Sequence, residues 1–366
     1  MTASPPRTHL DPARTDQVPG PAARARSGGR ARLRFVLSWV AAVVLVATVL
    51  PRAVSVSWHG ILPVLGSVHW PAALGLFAVW IAGLYVHSFV LTAAAPGLTH
   101  RRALTLNLTG SAVANVVPLG GAAGVELNRR MMRTWGIDGR AFTGYTLLTN
   151  LWDVGSKLLL PLVAVAALVN AGETITSSVR TATIVAAVAF VAFGAAAAYG
   201  LSSDRAAAAT GRLLERCARR ALRLLRRPEP DLALAEALVE VRNQSAGLVR
   251  RGWLRMSAAM AGYVFLQAVL LALCLDLTGA ANTWPEILAA FAVERLLTVV
   301  PLTPGGVGIA DLGLVGVLIA LGGDPVSATA AAVLYRAFVF LVEIPVGSGA
   351  LGAWLLSQRL RASATS

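Results

Sequence analysis

Thr298-Val-Val-Pro301-Leu-Thr-Pro304-Gly305-Gly306-Val-Gly308-Ile-Ala-Asp311 is the stretch on which the fold turns. It lies in a hydrophobic region, and two prolines with three glycines in so few positions break a helix. In lipid a broken helix leaves N–H and C=O groups unpaired. Each costs several kcal/mol by the usual estimate, so such a break persists only where protein or a water-filled cavity receives it. A related phrase stands earlier, Asn115-Val-Val-Pro118-Leu-Gly-Gly-Ala-Ala-Gly124-Val-Glu126. Broken segments in matching places of two halves are the sequence signature of a transporter's midplane site.

The composition agrees with a membrane setting. Of 366 residues, 56% are hydrophobic and 14% are charged, and several apolar runs approach the ~20 residues that cross a bilayer. The fold class expected is an all-α integral membrane protein with about six full spans and two re-entrant helical hairpins. The net charge of +14 raises nucleic-acid binding as a function class. The arginines fall at span ends and in one linker, where the positive-inside rule accounts for them, so no nucleic-acid partner is expected. Cys217 and Cys274 fall in a linker and a span, with no metal-ligand spacing; no metal or cofactor is expected.

Outward from the two broken phrases, the chain divides as follows. Residues 1–34 read as a disordered basic cytoplasmic tail. Residues 35–201 form a first membrane half, with spans at 35–50, 70–95, 141–169 and 179–200 and a hairpin at 103–134. Residues 52–69, with Trp58 inside and Trp70 just after, read as an outer interfacial loop. Residues 202–254 form a cytoplasmic linker. Its first part places Arg205, Arg212, Arg216, Arg219, Arg220 and Arg223 opposite Leu213, Leu214 and Cys217, a basic amphipathic helix suited to an anionic lipid surface over 202–227. Residues 255–356 form a second membrane half, with spans at 255–278 and 325–356 and a hairpin at 284–321. Residues 357–366 form a cytoplasmic tail. Both termini are expected inside, in a multi-pass protein of a bacterial-type inner membrane.

The halves align by hand: Pro118 with Pro301, Gly124 with Gly308, Asp138 with Asp324, Asn150 with Arg336, and Lys157 with Glu343. Three spans separate the hairpins, so the repeat is expected to be inverted.

Glu126, Asp153, Lys157, Glu294, Arg295, Arg336 and Glu343 all fall at membrane depth. Each costs about 2.5–3.5 kcal/mol at a helix centre, so they must turn inward and pair. The expected substrate-binding set is Arg295, Arg336, Glu294, Glu126, Arg129, Asn115, Asn150, Gly305, Gly306 and Gly308. The arginine forks would hold a phosphate and the glycine turns would offer backbone N–H groups. Asp153, Lys157, Asp311 and Glu343 are expected to pair charges or carry protons. Gly306-Val-Gly308 starts like a dinucleotide fingerprint, but Asp311 stands where its third glycine would be and no strand precedes it. No nucleophile motif occurs, and no catalytic residue is expected.

These residues resemble a known family. Asn115 to Pro118, Gly124-Val-Glu126, Arg129-Arg130, Glu294-Arg295, the Pro301 to Gly308 element and Tyr335-Arg336 are similar to the flippase-like membrane domain of lysylphosphatidylglycerol synthases, over roughly 35–356. Asp311 departs from the Glu that the family pattern leads one to expect there. The resemblance implies a stand-alone member lacking the synthase domain, which moves a membrane phospholipid, charged, anionic or aminoacylated, between leaflets. Two other readings stand beside it. One is an intramembrane transferase or hydrolase using Glu294 and Asp311 on a lipid-linked phosphate or sugar. The other is a non-transporting scaffold of envelope biogenesis that recruits a partner through 202–254.

Overall fold

The computed structural model describes residues 56–116, 120–172, 177–224, 234–299 and 308–364. The 1–34 tail, the span expected at 35–50, Pro118, Pro301, Pro304, Gly305 and Gly306 lie outside the described residues. Every regular element described is a helix: α1 (Trp58–Gly66), α2 (Trp70–Ala94), α3 (His100–Val116), α4 (Gly120–Thr134), α5 (Gly139–Asn170), α6 (Ser177–Ser202), α7 (Asp204–Leu224), α8 (Leu234–Leu277), α9 (Trp284–Leu297), α10 (Ile309–Ala320), α11 (Pro325–Arg336), a π turn (Ala337–Val342) and α12 (Glu343–Ala364).

Among the described residues, four stretches are long and apolar enough to cross a membrane: Trp70–Ala94, Gly139–Asn170, Gly252–Leu277 and Pro325–Arg361. The apolar part of α6 is shorter, Ile184–Gly200. Two expectations are corrected. The end of the linker expected at 202–254 and the span expected at 255–278 are one helix, α8, whose 44 residues extend about 66 Å at 1.5 Å per residue. Nothing between Gly252 and Arg255 breaks it, because no proline stands there and one glycine costs only about 1 kcal/mol. The outer loop expected at 52–69 contains α1, which packs on α11 where Gly60 meets Val326.

The helices α3 and α4 pack together, as do α9 and α10. In the first pair the closeness comes from glycine. A Cβ on Gly124 would lie 2.7 Å from the Gly110 carbonyl oxygen, and one on Gly110 would lie 2.8 Å from Asn128 Nδ2. Gly308 does something different: it starts α10 at φ +90°, a left-handed conformation that glycine adopts freely. The aligned glycines therefore serve unlike purposes. The aligned aspartates serve the same one. Asp138 accepts the Ala141 N–H at 2.7 Å and Asp324 accepts the Ser327 N–H at 2.8 Å, each capping the span that follows its hairpin. Hydrogen bonds from Ser327 hold the Asp324 carboxyl below its ordinary range.

Among the described residues, two apolar clusters form the interior. One gathers Leu76, Leu271, Phe291, Leu314, Leu318 and Tyr335 from α2, α8, α9, α10 and α11. The other gathers Val90, Leu106, Met131, Met132, Leu148 and Met256 around the first hairpin. The basic helix α7 packs along α8 and α6 through Ala207 and Gly211, which leaves Leu213, Leu214 and the arginine row exposed.

Candidate functional site

The second hairpin carries a buried ion network. Glu294 is 1% exposed, Asp311 3% and Arg336 9%. Arg336 donates from Nε to Asp311 Oδ1 at 2.7 Å and places Nη2 2.6 Å from the same oxygen. Its Nη2 is also 3.5 Å from Glu294 Oε1. Arg295 Nε lies 3.1 Å from Glu294 Oε2. The other Asp311 oxygen, Oδ2, accepts the Gly308 N–H at 2.8 Å. The network thus clamps the start of α10 to α11 and to α9.

Two guanidiniums face two carboxylates, so the set is neutral. Charge neutrality is what lets it lie buried. Arg295 continues the connection. Its Nη2 donates to Gln267 Oε1 at 2.7 Å and contacts Tyr335 Oη at 2.6 Å, and its guanidinium lies over the Phe291 ring at 5.0 Å. Tyr335 donates to Gln267 Oε1 at 2.9 Å, and Gln267 Nε2 donates to Tyr263 Oη at 2.6 Å.

Tyr263 is where this network meets a cavity. A polar cavity of about 300 Å³ lies beside the first hairpin. Its polar lining includes His87, Asn107, Asn128, Asn150, Asp153 and Tyr263. Asn107 donates to His87 Nδ1 at 3.0 Å, and the His87 ring stacks on Tyr263 with centroids 4.5 Å apart. Among the described residues lining the cavity there is no Arg or Lys. Asp153 is paired with Lys157 at 2.8 Å, one helical turn along α5, as their spacing led one to expect.

The opposite side of α5 lines an apolar crevice of about 550 Å³ between α5, α6 and α8. Trp152, Leu159 and Val163 from α5 face Phe193 and Gly194 from α6 and Val264 from α8 there. Trp152 Nε1 donates to Ser257 Oγ at 3.0 Å, which ties α5 to α8. The sequence makes this two-sided wall directly. Thr146, Thr149, Asn150 and Asp153 recur at helical spacing on one side of α5, and large apolar residues recur on the other.

The structure therefore distributes the expected site residues over four places. Glu294, Arg295, Asp311, Arg336 and Gly308 come together at the second hairpin. Asn150 and Asp153 line the cavity, with Lys157 beside them. Glu126 forms a separate, part-exposed cluster with Arg129 and Arg130, at 2.7 Å from each Nε. Asn115 meets Glu343 instead, with Nδ2 3.2 Å from Oε2. Neither Arg295 nor Arg336 is among the residues that line the cavity.

Sequence reasoning missed Gln267, Tyr263, His87, Asn107 and Asn128. Gln267 and Tyr263 were visible as polar interruptions of the apolar run from 256 to 275. Tyr335 stood within the recognised motif but was given no role.

No curated protein matches the chain. The family model described as the lysylphosphatidylglycerol synthase TM region matches residues 33–347, spanning both hairpins, the ion network and the cavity, and the chain belongs to that family.

Proposed function

We propose that this protein moves a phospholipid between the leaflets of the membrane. The observation that carries the reading is the wall formed by α5 and α8, with a polar cavity on one side and an apolar crevice on the other. A lipid is the ligand with both halves. Its headgroup enters the cavity against Asn107, Asn128, Asn150 and Asp153, and an acyl chain follows the crevice past Val163, Phe193 and Val264. An amine on the headgroup, aminoacyl groups included, would exchange with Lys157 on Asp153, and headgroup hydroxyls would bond to the asparagines. The buried arginines are engaged with Glu294 and Asp311, so their part is to fix the second hairpin. The neutral network and the Tyr263–Gln267 contact carry the state of one hairpin to the other.

In this reading the hairpins form an inverted repeat, and the matched caps at Asp138 and Asp324 support it. The protein sits in a bacterial-type inner membrane with both termini in the cytoplasm. There α7 lays its arginine row on anionic headgroups, at about 1 kcal/mol per Arg close to the surface. The transferase reading gains nothing from the geometry, since the acids it would use, Glu294 and Asp311, are both bound to Arg336.

The test is leaflet exchange in liposomes, using labelled phospholipids of several headgroups. Wild type exchanges one headgroup class. Asn128→Leu, in the cavity, and Gly194→Trp, in the crevice, each abolish that exchange. Equal exchange by wild type and both variants would refute the reading.

A further inference from the structure

Glu343 stands apart from the other acids expected at membrane depth. Glu126, Asp153, Glu294 and Asp311 each lie within ion-pair distance of Arg or Lys. Among the described residues no such cation lies on Glu343. A neutral donor from α3 holds it: Asn115 Nδ2 at 3.2 Å. Asn115 Nδ2 also lies 3.4 Å from the Phe340 carbonyl oxygen, within the π turn.

The placement of this acid is specific. Glu343 closes the π turn that Arg336 opens. Through Arg336 the last span grips Asp311 and the start of α10. Through Glu343 it grips the end of α3, three residues before Pro118. One helical run thus holds the margins of both breaks, with a π turn between its two grips. Such turns are single extra-residue irregularities that recur at functional sites. One turn further on, Gly347 lets α12 touch the Leu108 backbone, so α3 and the last span are seated directly on each other.

We propose that Glu343 is a proton-binding site that couples movement of the first hairpin to proton uptake. The Asn115 donor favours the charged form of the carboxylate. When the end of α3 moves away, that form loses its donor inside the membrane and the neutral acid is further favoured, so proton occupancy rises. Return of the donor lowers it again. The charged and titratable groups within electrostatic reach of Glu343 are Arg336 from its own span, Arg295 from α9, and Tyr263 from α8. From α2, His87 enters only through its stacking on Tyr263. The inference rests on the transport reading for its purpose, but not for its chemistry.

Infrared difference spectra of the protein in nanodiscs, titrated with pH, test the site without any transport. The expected result is a protonated-carboxyl band in wild type that is missing in Glu343→Gln. In Asn115→Ala the band should persist to higher pH, by about tenfold in proton affinity, because a donor to the charged form is gone. A band unchanged in Glu343→Gln overturns the proposal. If that variant fails to fold, an unchanged midpoint in Asn115→Ala overturns it instead. In liposomes, lipid exchange by wild type should change several-fold under an imposed pH gradient, while Glu343→Gln should not respond. A response to a sodium gradient at equal pH would also overturn it. Absence of all lipid exchange would sink the transport reading while the infrared band still decided the proton site.

Discussion

Asp311→Asn removes one charge from the buried network while leaving its shape. The asparagine oxygen still accepts the Gly308 N–H, so the start of α10 keeps its cap. The charge count changes from two guanidiniums facing two carboxylates to two facing one. Arg336 keeps the 3.5 Å contact with Glu294, whose other oxygen faces Arg295. Leaving one buried partner uncompensated costs about 3–5 kcal/mol. Adding Arg336→Met restores neutrality, with Glu294 facing Arg295 alone, so the double variant should regain at least about 2 kcal/mol over Asp311→Asn. Reversible unfolding in mixed micelles, taken through the full double-mutant cycle, measures this coupling. Additivity of the two substitutions within about 0.5 kcal/mol would refute the neutral-network reasoning. The same cycle separates structure from binding: if Arg336 held phosphate, the double variant would regain stability yet lose lipid exchange.

Gly124→Ala should destabilise by about 1–3 kcal/mol, because its Cβ would stand 2.7 Å from the Gly110 carbonyl oxygen, in backbone that cannot yield; thermal unfolding measures it. Gly308→Ala should cost about 1–2 kcal/mol through its φ of +90° alone, with the Asp311 bond retained. Asp138→Ala and Asp324→Ala should each cost about 1 kcal/mol as lost helix caps, and similar values would support the matching of the two halves. A fluorophore on the exposed Cys217 should shift to the blue in nanodiscs containing anionic lipid, and high salt should reverse the shift; no shift would remove α7 from the lipid surface. The label is selective because Cys274 is buried.

Much of the architecture could be read from residue patterns. Apolar runs of sufficient length marked the spans, and the Pro118 and Pro301 phrases separated α3 from α4 and α9 from α10. Asp138 and Asp324 could be matched across the halves, and both prove to cap spans because a cap is a local matter. The site was less legible. That Glu294, Arg295 and Arg336 turn inward follows from the cost of charge in lipid, and they do. Their pairing does not follow, because it depends on how α9, α10 and α11 cross. Asp311 looked like an imperfect substitute and is instead the main partner of Arg336. Apart from Asp153, the polar lining of the cavity is mostly Asn, Thr, His and Tyr, residues that carry no net cost large enough to announce themselves in a sequence. The continuity of α8 was missed for a related reason: a change from charged to apolar composition marks a membrane boundary, whereas only backbone breakers mark a helix end.

The claim that one lipid spans both sides of the α5–α8 wall is open to direct measurement by photo-crosslinking in nanodiscs. One phospholipid would carry a diazirine in its acyl chain, another a photoreactive group on its headgroup, and adducts would be mapped by mass spectrometry. The acyl probe is expected on Val163, Phe193 and Val264, and the headgroup probe on Asn107, Asn128 and Asn150, each competed by the unlabelled lipid. Acyl adducts spread evenly over the exposed surface of α6, with no competed headgroup adducts in the cavity, would contradict it.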